Sequence, residues 1–148
     1  MVGDGSYLMM NSEIASSITL GQKLIIVVLD NRGYGCINRL QNATGGASFN
    51  NLFEQGVVGT MPKIDFAAHA ASLGANSEQV RGIGELEAAL ERAKASEQTY
   101  VIALDTDPVH TTQAGGCWWD VAVPEVSKRA EVQHARASYE RQQQNQPF

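Results

Sequence analysis

Two short glycine-containing motifs near the start of the chain constrain its fold more than any other feature. The first is GDGS at 3–6, which stands directly before a segment with helical periodicity. The second is DNRG at 30–33, which follows the apolar run KLIIVVL at 23–29. A short β-branched run of this kind is typical of a strand that is covered on both faces of a parallel sheet. A helix followed closely by such a strand indicates an α/β layer architecture.

The first motif has the chemistry of a phosphate and metal site. Its two glycines, Gly3 and Gly5, let the backbone approach a ligand closely. The free amides at the start of the following helix attract phosphate. Asp4 supplies a hard oxygen ligand for Mg²⁺ or Ca²⁺. Taken alone, Gly-Asp-Gly is more often an ordinary turn, so the motif needs a second half.

The second motif supplies that half, because Asn31 lies 27 positions after Asp4, at the end of the next predicted strand. Parallel strands end together at the carboxyl edge of a sheet, where open α/β folds bind ligands. Asn31 offers a side-chain carbonyl oxygen and Gly33 a backbone carbonyl. One carboxylate and two carbonyls leave coordination positions for diphosphate oxygens and a water. An octahedral set made only of oxygen suits Mg²⁺.

The paired motifs resemble the fingerprint of the enzymes that depend on thiamine diphosphate. The resemblance implies that Asp4, Asn31 and the Gly33 carbonyl hold a magnesium ion. It also implies that the cofactor is contacted by Gly3, Gly5, Ser6, Gly33 and Tyr34. The fold it implies is a three-layer parallel sheet with helices on both faces, truncated here at its N-terminus.

The chain departs from the family pattern at one position, because Asp30 replaces the first of the two usual asparagines. The second asparagine is the family's ligand, so this departure leaves the implied metal ligands intact. We expect Asp30 either to alter the turn or to add negative charge beside the metal.

A narrower resemblance covers essentially the whole chain, including 30–41, 65–70 and 115–127. These segments resemble the trihydroxycyclohexane-1,2-dione hydrolases of myo-inositol catabolism, a branch of the family that is related to acetolactate synthase. The resemblance implies hydrolytic cleavage of a C–C bond that opens a cyclic dione to 5-deoxyglucuronate. Two alternatives stay open: an acetolactate-synthase-like or 2-oxo-acid decarboxylase domain, and a non-catalytic phosphate- or nucleotide-binding α/β module. A dinucleotide site would need a third glycine, which 3–8 lacks.

In this family a glutamate on a pyrimidine-binding domain, usually of a partner subunit, activates the cofactor. The sequence offers no candidate, since Glu13 lies on the helix that follows the first motif and is expected to be structural. The catalytic glutamate is therefore expected outside this chain, which implies a homo-oligomer and a fragment that is inactive alone. Met1 and Val2 are too few for the strand that should precede the motif, so we expect further residues upstream.

Hydrophobic patterning divides the chain into an α/β domain at 1–124 and a helical tail at 125–148. The predicted helices span 7–20, 66–73, 85–95 and 126–141, and the predicted strands span 23–29, 75–81 and 99–104. Asp65 is expected to cap the second helix and Gly74 to end it. The loop at 31–63 is predicted to be a binding loop or lid, with a candidate short helix at 38–41 and a turn at 50–51. The end of the tail, from Gln142, is expected to fray.

The roles of several other side chains stay open at this point. His69 is expected to be a packed or capping residue, and His134 a solvated one. His110 follows a strand and is a candidate for substrate contact. Trp118 and Trp119 are expected to pack the C-terminal segment rather than to stack on substrate. The sequence assigns Arg39 no role at the cofactor or the substrate.

Composition excludes several classes of function. The net charge of −5 argues against nucleic acid and anionic membranes as partners. No apolar run has the length of a membrane span, and the N-terminal segment does not resemble a signal peptide. Cys36 and Cys117 lie far apart in no metal-ligand spacing, so we expect reduced thiols. These features together predict a cytoplasmic protein.

Overall fold

The computed structural model describes residues 1–56, 63–108, 110 and 121–145. The helices are α1 Asp4–Met10, α2 Ser12–Thr19, α3 Gly35–Ala43, α4 Phe66–Ser72, α5 Ile83–Ala95 and α6 Ala130–Gln144, with a short 3₁₀ helix at Phe53–Gln55. The strands are β1 Val2–Gly3, β2 Ile25–Asp30, β3 Asn76–Val80 and β4 Tyr100–Asp105.

The strands form one parallel sheet in the order β1-β2-β4-β3. Val2 pairs with Val28, and Gly3 pairs with Leu29, so β1 lies at one edge beside β2. Only two residues, Val2 and Gly3, stand in the position of the strand expected before the first motif, and they pair with β2. The order brings the ends of β1 and β2 side by side.

Alternate residues of the central strands point into two cores on opposite faces of the sheet. Val28 and Val101 face α1, α2 and α4, whereas Val27 and Ile102 face α5. Each buried side chain of this size stabilises the fold by roughly 1.5–3 kcal/mol. The predicted layer architecture, with helices on both faces of a parallel sheet, is confirmed.

The helix boundaries follow local chemistry where the sequence carries a cap. The Asp65 carboxylate accepts a hydrogen bond of 2.8 Å from the Ala68 amide and begins α4, as predicted. Gly74 follows the end of this helix with φ of +97°, a conformation that favours glycine. On the opposite face, Ala89 and Ala93 are fully buried and let α5 approach the sheet closely.

Three helices differ from their predicted lengths. The predicted helix at 7–20 begins earlier, at Asp4, and divides into α1 and α2 at Asn11, whose side-chain nitrogen bonds the Leu8 carbonyl. The candidate helix at 38–41 is longer and forms α3. The tail helix begins at Ala130 and continues to Gln144, past the position where fraying was predicted.

Helix α6 lies against the end of α3. The Arg129 side chain donates a 2.9 Å hydrogen bond to the Gly45 carbonyl, just after α3. Arg136 donates to the Val123 carbonyl at 2.9 Å and pairs with Glu140 within the helix. The division at residue 124 stays a prediction. In the part of the chain that the structure describes, no helix combines the length and the apolar character that crossing a membrane requires.

Replacement of Asp65 by alanine is expected to lower the free energy of unfolding by about 1 kcal/mol, because the Ala68 amide loses its acceptor. Asp65→Asn is the matched control, since an asparagine oxygen accepts the same bond and should retain most of the stability. Urea denaturation of the three proteins measures both effects. Equal stability of the alanine and wild-type proteins would contradict the capping role.

Candidate functional site

The ends of β1 and β2 place the two sequence motifs together at the carboxyl edge of the sheet. Asp4 directly follows β1, and Asn31 directly follows β2. The Asp4 side chain has 0% of its surface exposed. A buried carboxylate is costly unless hydrogen bonds or a cation compensate its charge.

The Asp4 carboxylate is compensated in part by the second motif. Its Oδ2 atom accepts a hydrogen bond of 2.6 Å from the Gly33 amide. Its Oδ1 atom lies 2.9 Å from the side-chain amide of Asn31, which also lies 2.9 Å from the Gly33 carbonyl oxygen. A carboxylate, an amide and a backbone carbonyl from two strand ends therefore meet.

The Asn31 amide has two orientations, which exchange its oxygen and nitrogen. With the oxygen inward, it faces only acceptors, and nothing but a cation would relieve the contact. With the nitrogen inward, it donates hydrogen bonds of 2.9 Å to Asp4 Oδ1 and to the Gly33 carbonyl. The surrounding contacts favour the second orientation, because it satisfies both acceptors. The group is thus a donor without a cation and an oxygen ligand with one.

The three groups are of the kind that a small, hard cation binds, namely one carboxylate, one backbone carbonyl and one side-chain amide whose oxygen can serve as a ligand. The 2.9 Å separations of the Asn31 amide from Asp4 and Gly33 are those of ordinary hydrogen bonds from its nitrogen. Within 1–56, 63–108, 110 and 121–145, no group of three or more His, Cys, Asp or Glu side chains offers another metal site.

An unusual turn presents the Gly33 carbonyl. Arg32 has φ of +65° and Gly33 has φ of +141°. The Asp30 carboxylate accepts a 2.8 Å hydrogen bond from the Arg32 amide and so supports this turn. A Cβ atom at Gly33 would lie 2.5 Å from the Asn51 carbonyl oxygen. Glycine is therefore required at this position for both conformation and space.

Residues 51–53 fix the turn from outside, and the sequence analysis missed this. The Tyr34 amide donates to the Asn51 carbonyl at 2.7 Å, and the Phe53 amide donates to the Arg32 carbonyl at 2.9 Å. The Asn51 side chain also bonds Gln41 on α3. The sequence predicted a turn at 50–51 but gave no signal for this pairing, because backbone bonds leave no side-chain pattern.

The residues expected to contact a cofactor surround the start of α1. Gly5 is buried, and a Cβ atom there would lie 2.6 Å from Cδ1 of Tyr34. Tyr34 is 37% exposed, and Ser6 is exposed one residue beyond Gly5. The space beside Gly3 is open, because a Cβ atom there would meet nothing within 4 Å. The structure thus brings these residues together with the groups that meet at the two strand ends.

Gly35 is a supporting residue that the sequence analysis did not assign. It is buried, and a Cβ atom there would lie 2.7 Å from the Asn31 side-chain nitrogen. Any larger residue would displace the amide from the site. The second glycine of Gly-Tyr-Gly after the asparagine was the available signal.

The electrostatic field at this edge of the sheet is negative. Burial raises the pKa of Asp30, and the neighbouring carboxyls of Asp4 and Asp105 raise it further, while the Arg32 amide opposes them. Among the described side chains, no lysine or arginine forms an ion pair with any of these three carboxylates. The edge therefore favours a cation over a bare anion.

Other candidates lie outside this arrangement. Nδ1 of His69 lies 2.8 Å from the Tyr7 hydroxyl, and the two rings meet edge to face, which confirms the packing interpretation. His110 is exposed and lies 2.7 Å from the Asp107 carboxylate. Four other side chains singled out in the sequence are exposed on helices, namely Glu13, Cys36, Arg39 and His134. The assignments of Trp118, Trp119 and Cys117 fall outside the described residues.

A comparison with protein families gives a match over the part of the chain that contains the two glycine motifs. Residues 1–104 match the family described as thiamine pyrophosphate enzyme, C-terminal TPP binding domain. The match includes both motifs, the strands β1, β2 and β3, and β4 up to Leu104.

Curated relatives match nearly the whole chain. The 3D-(3,5/4)-trihydroxycyclohexane-1,2-dione hydrolase of Geobacillus thermodenitrificans (strain NG80-2) is 40% identical over 151 residues, covering 98% of this chain and 23% of the relative. The protein of the same name from Bacillus thuringiensis (strain Al Hakam) is 39% identical over 144 residues, covering 93% and 22%. This chain therefore spans less than a quarter of the length of these relatives.

Two solved structures share the fold. Benzoylformate decarboxylase from Polynucleobacter necessarius has a TM-score of 0.65 and 23% identity, covering 76% of this chain and 20% of its own. The thiamine diphosphate-dependent 4-hydroxybenzoylformate decarboxylase of Rhodococcus jostii RHA1 has a TM-score of 0.62 and 21% identity, covering 72% and 19%. At this identity the likeness concerns the fold alone.

Replacement of Gly33 by alanine is expected to destabilise the protein by roughly 1–3 kcal/mol, because alanine is strained at this φ and its Cβ meets the Asn51 carbonyl. Gly84→Ala is the matched control. Gly84 lies within α5 with open space around it, so alanine should stabilise the helix by roughly 0.5–1 kcal/mol. Denaturant unfolding of both variants measures the two opposite shifts. A Gly33→Ala protein as stable as wild type would refute the strained turn.

Proposed function

This chain belongs to the thiamine pyrophosphate enzyme family, and we propose from that premise that it holds the diphosphate end of thiamine diphosphate through a magnesium ion. One observation carries the proposal: the buried Asp4 carboxylate, the Asn31 amide and the Gly33 carbonyl meet at the carboxyl ends of β1 and β2, with the amide 2.9 Å from each of the other two groups. The buried, partly compensated Asp4 carboxylate and the negative field around it support a cation at this point.

The residues at the two strand ends fit both the magnesium ion and the diphosphate of the cofactor. Asp4, the Asn31 side chain and the Gly33 carbonyl would hold the metal. The residues proposed to contact the cofactor are Gly3, Gly5, Ser6, Gly33 and Tyr34. Glycine at positions 3 and 5 leaves the backbone accessible, and the amides that begin α1 favour a phosphate. The Tyr34 ring over Gly5 would limit access of water to the same corner.

Thiamine diphosphate, when bound, supplies a carbon nucleophile and an electron sink for breaking a C–C bond beside a carbonyl. This chain's residues contribute binding and orientation rather than proton transfer. Within the described residues, no glutamate lies among the groups assembled at the two strand ends. The activating glutamate is proposed to come from a pyrimidine-binding domain of the same or a partner subunit, in a homo-oligomer.

We propose that the whole protein is an enzyme that hydrolyses a C–C bond of trihydroxycyclohexane-1,2-dione and yields 5-deoxyglucuronate in myo-inositol catabolism. The proposal is supported by the shared name of the curated relatives and by 39–40% identity across almost all of this chain. The division into a domain at 1–124 and a tail at 125–148, and a cytoplasmic location, belong to the same proposal.

Removal of either side-chain ligand is expected to abolish cofactor retention. Asp4→Ala and Asn31→Ala in the intact protein should weaken retention of thiamine diphosphate with Mg²⁺ by more than about a hundredfold, since direct ligands matter more than their supporting residues. Cofactor content after gel filtration measures the loss. Glu13→Gln, an exposed change on α2, is the control and should retain the cofactor. Full retention by both alanine variants would reject the site.

Product analysis tests the substrate. The intact protein with Mg²⁺ and thiamine diphosphate is expected to convert the cyclic dione to 5-deoxyglucuronate and to leave pyruvate unchanged. Chromatography with mass spectrometry identifies the products. Acetolactate or carbon dioxide formed from pyruvate, with no product from the dione, would replace the hydrolase by a synthase or decarboxylase. Cofactor binding without turnover of any of these substrates would favour a binding module.

A further inference from the structure

Asp30 is held rigidly beside the proposed metal site. Its backbone carbonyl accepts hydrogen bonds from the Thr106 amide at 2.8 Å and from the Thr106 hydroxyl at 3.1 Å. Its carboxylate accepts the 2.8 Å bond from the Arg32 amide. Asn31, a proposed ligand, is the next residue. The Asp30 carboxylate is therefore held beside Asp4 and directly before Asn31, and it is not one of the proposed ligands.

Two further carboxylates lie near Asp30. Asp4 lies across the β1–β2 junction, and Asp105 pairs with Asp30 in the sheet register. The Asp105 carboxylate accepts a hydrogen bond of 3.1 Å from Gln79, which is neutral. Lys63 and Arg81 line a cavity of about 320 Å³ together with Asp105 but make no described ion pair with it. This edge of the sheet therefore carries two carboxylates, Asp30 and Asp105, in addition to the proposed metal ligand Asp4.

We propose that Asp30 sets the order in which the site fills, so that the metal ion binds before the diphosphate. The proposal rests on the proposed function, because it assigns a charge role within that same site. A fixed negative charge attracts a divalent cation when no diphosphate is present. The same charge repels a diphosphate when no cation is present. Asp30 is a positioning residue: its carboxylate acts on the metal ion and on the diphosphate through its electrostatic field, and it does not coordinate the metal.

The charge of Asp30 can be separated from its part in the turn. An asparagine oxygen can accept the same hydrogen bond from the Arg32 amide, so Asp30→Asn preserves the shape of the turn. The substitution removes only the negative charge. A structural role predicts that both ligands bind less well after the change, or that neither is affected. The charge role predicts that the two affinities move in opposite directions.

Two titrations of the intact protein test the inference. Mn²⁺, which also prefers octahedral oxygen ligands, is titrated without cofactor and followed by electron paramagnetic resonance. Thiamine diphosphate is titrated in EDTA and followed by calorimetry. Asp30→Asn is expected to weaken Mn²⁺ binding roughly tenfold, because a unit charge a few ångströms from a divalent ion has an effect of that order near a protein surface. Binding of metal-free thiamine diphosphate should strengthen by a comparable factor.

Two further variants make the result specific. Glu87→Gln removes a charge from an exposed position on α5 and should change neither affinity. Asp105→Asn leaves the turn untouched and should shift both affinities in the same directions as Asp30→Asn, by smaller factors. If Asp30→Asn does not fold, the Asp105→Asn protein tests whether negative charge at this edge raises the affinity for Mn²⁺ and lowers that for the metal-free cofactor.

The outcomes separate this inference from the proposed function. If the unsubstituted protein binds neither Mn²⁺ nor the cofactor, alone or together, the proposed function fails and the inference fails with it. If Mn²⁺ binds only with the cofactor present, or if Asp30→Asn leaves Mn²⁺ affinity unchanged, the inference is wrong and the proposed function stands. A parallel loss of both affinities in a folded Asp30→Asn protein would assign Asp30 a structural role instead.

Discussion

The hydrogen bond between the buried Asp4 carboxylate and the Gly33 amide ties the ends of β1 and β2 together. Every other feature of the site depends on it, because it brings the Asn31 amide and the Gly33 carbonyl to the same point. The carboxylate receives one N–H bond from Gly33 and, with the Asn31 nitrogen inward, a second one from the amide, and each carboxylate oxygen can accept more. The fold therefore creates a site in which further donors or a cation stabilise the structure.

The parts that could be predicted from the sequence are those that local chemistry determines. The β-branched run of β2 identifies a buried strand without reference to the rest of the chain, and Asp65 identifies the start of α4 through a bond three residues away. The closeness of Asp4 and Asn31 needed one further rule, that parallel strands end at the same edge. Since Asp4 begins α1 directly after β1, this rule was enough to bring the two side chains together.

The parts that could not be predicted depend on contacts across long intervals without periodic patterns. Residues 51–53 hold the turn through backbone bonds to Arg32 and Tyr34, which any side chains would permit. The two-residue strand β1 exists only because β2 offers a paired edge, so its own sequence is uninformative. Asp30 shows the same limit: the sequence left turn and charge as alternatives, and the structure shows that its carboxylate supports the turn while adding to the negative field.

The chemistry of Asn31 explains how the two acceptor oxygens that face it are satisfied within the chain. A second carboxylate in place of this amide would leave two negative groups facing each other at about 2.9 Å, which would strongly disfavour the metal-free fold. The amide avoids this, because exchanging its oxygen and nitrogen turns two repulsive contacts into two hydrogen bonds. The opposite orientation would present an oxygen, which is the ligand that the proposed cation requires. The site therefore combines the charged carboxylate of Asp4 with the Asn31 amide, which can present either its oxygen or its nitrogen. The remaining negative charges lie on Asp30 and Asp105, which need not change position.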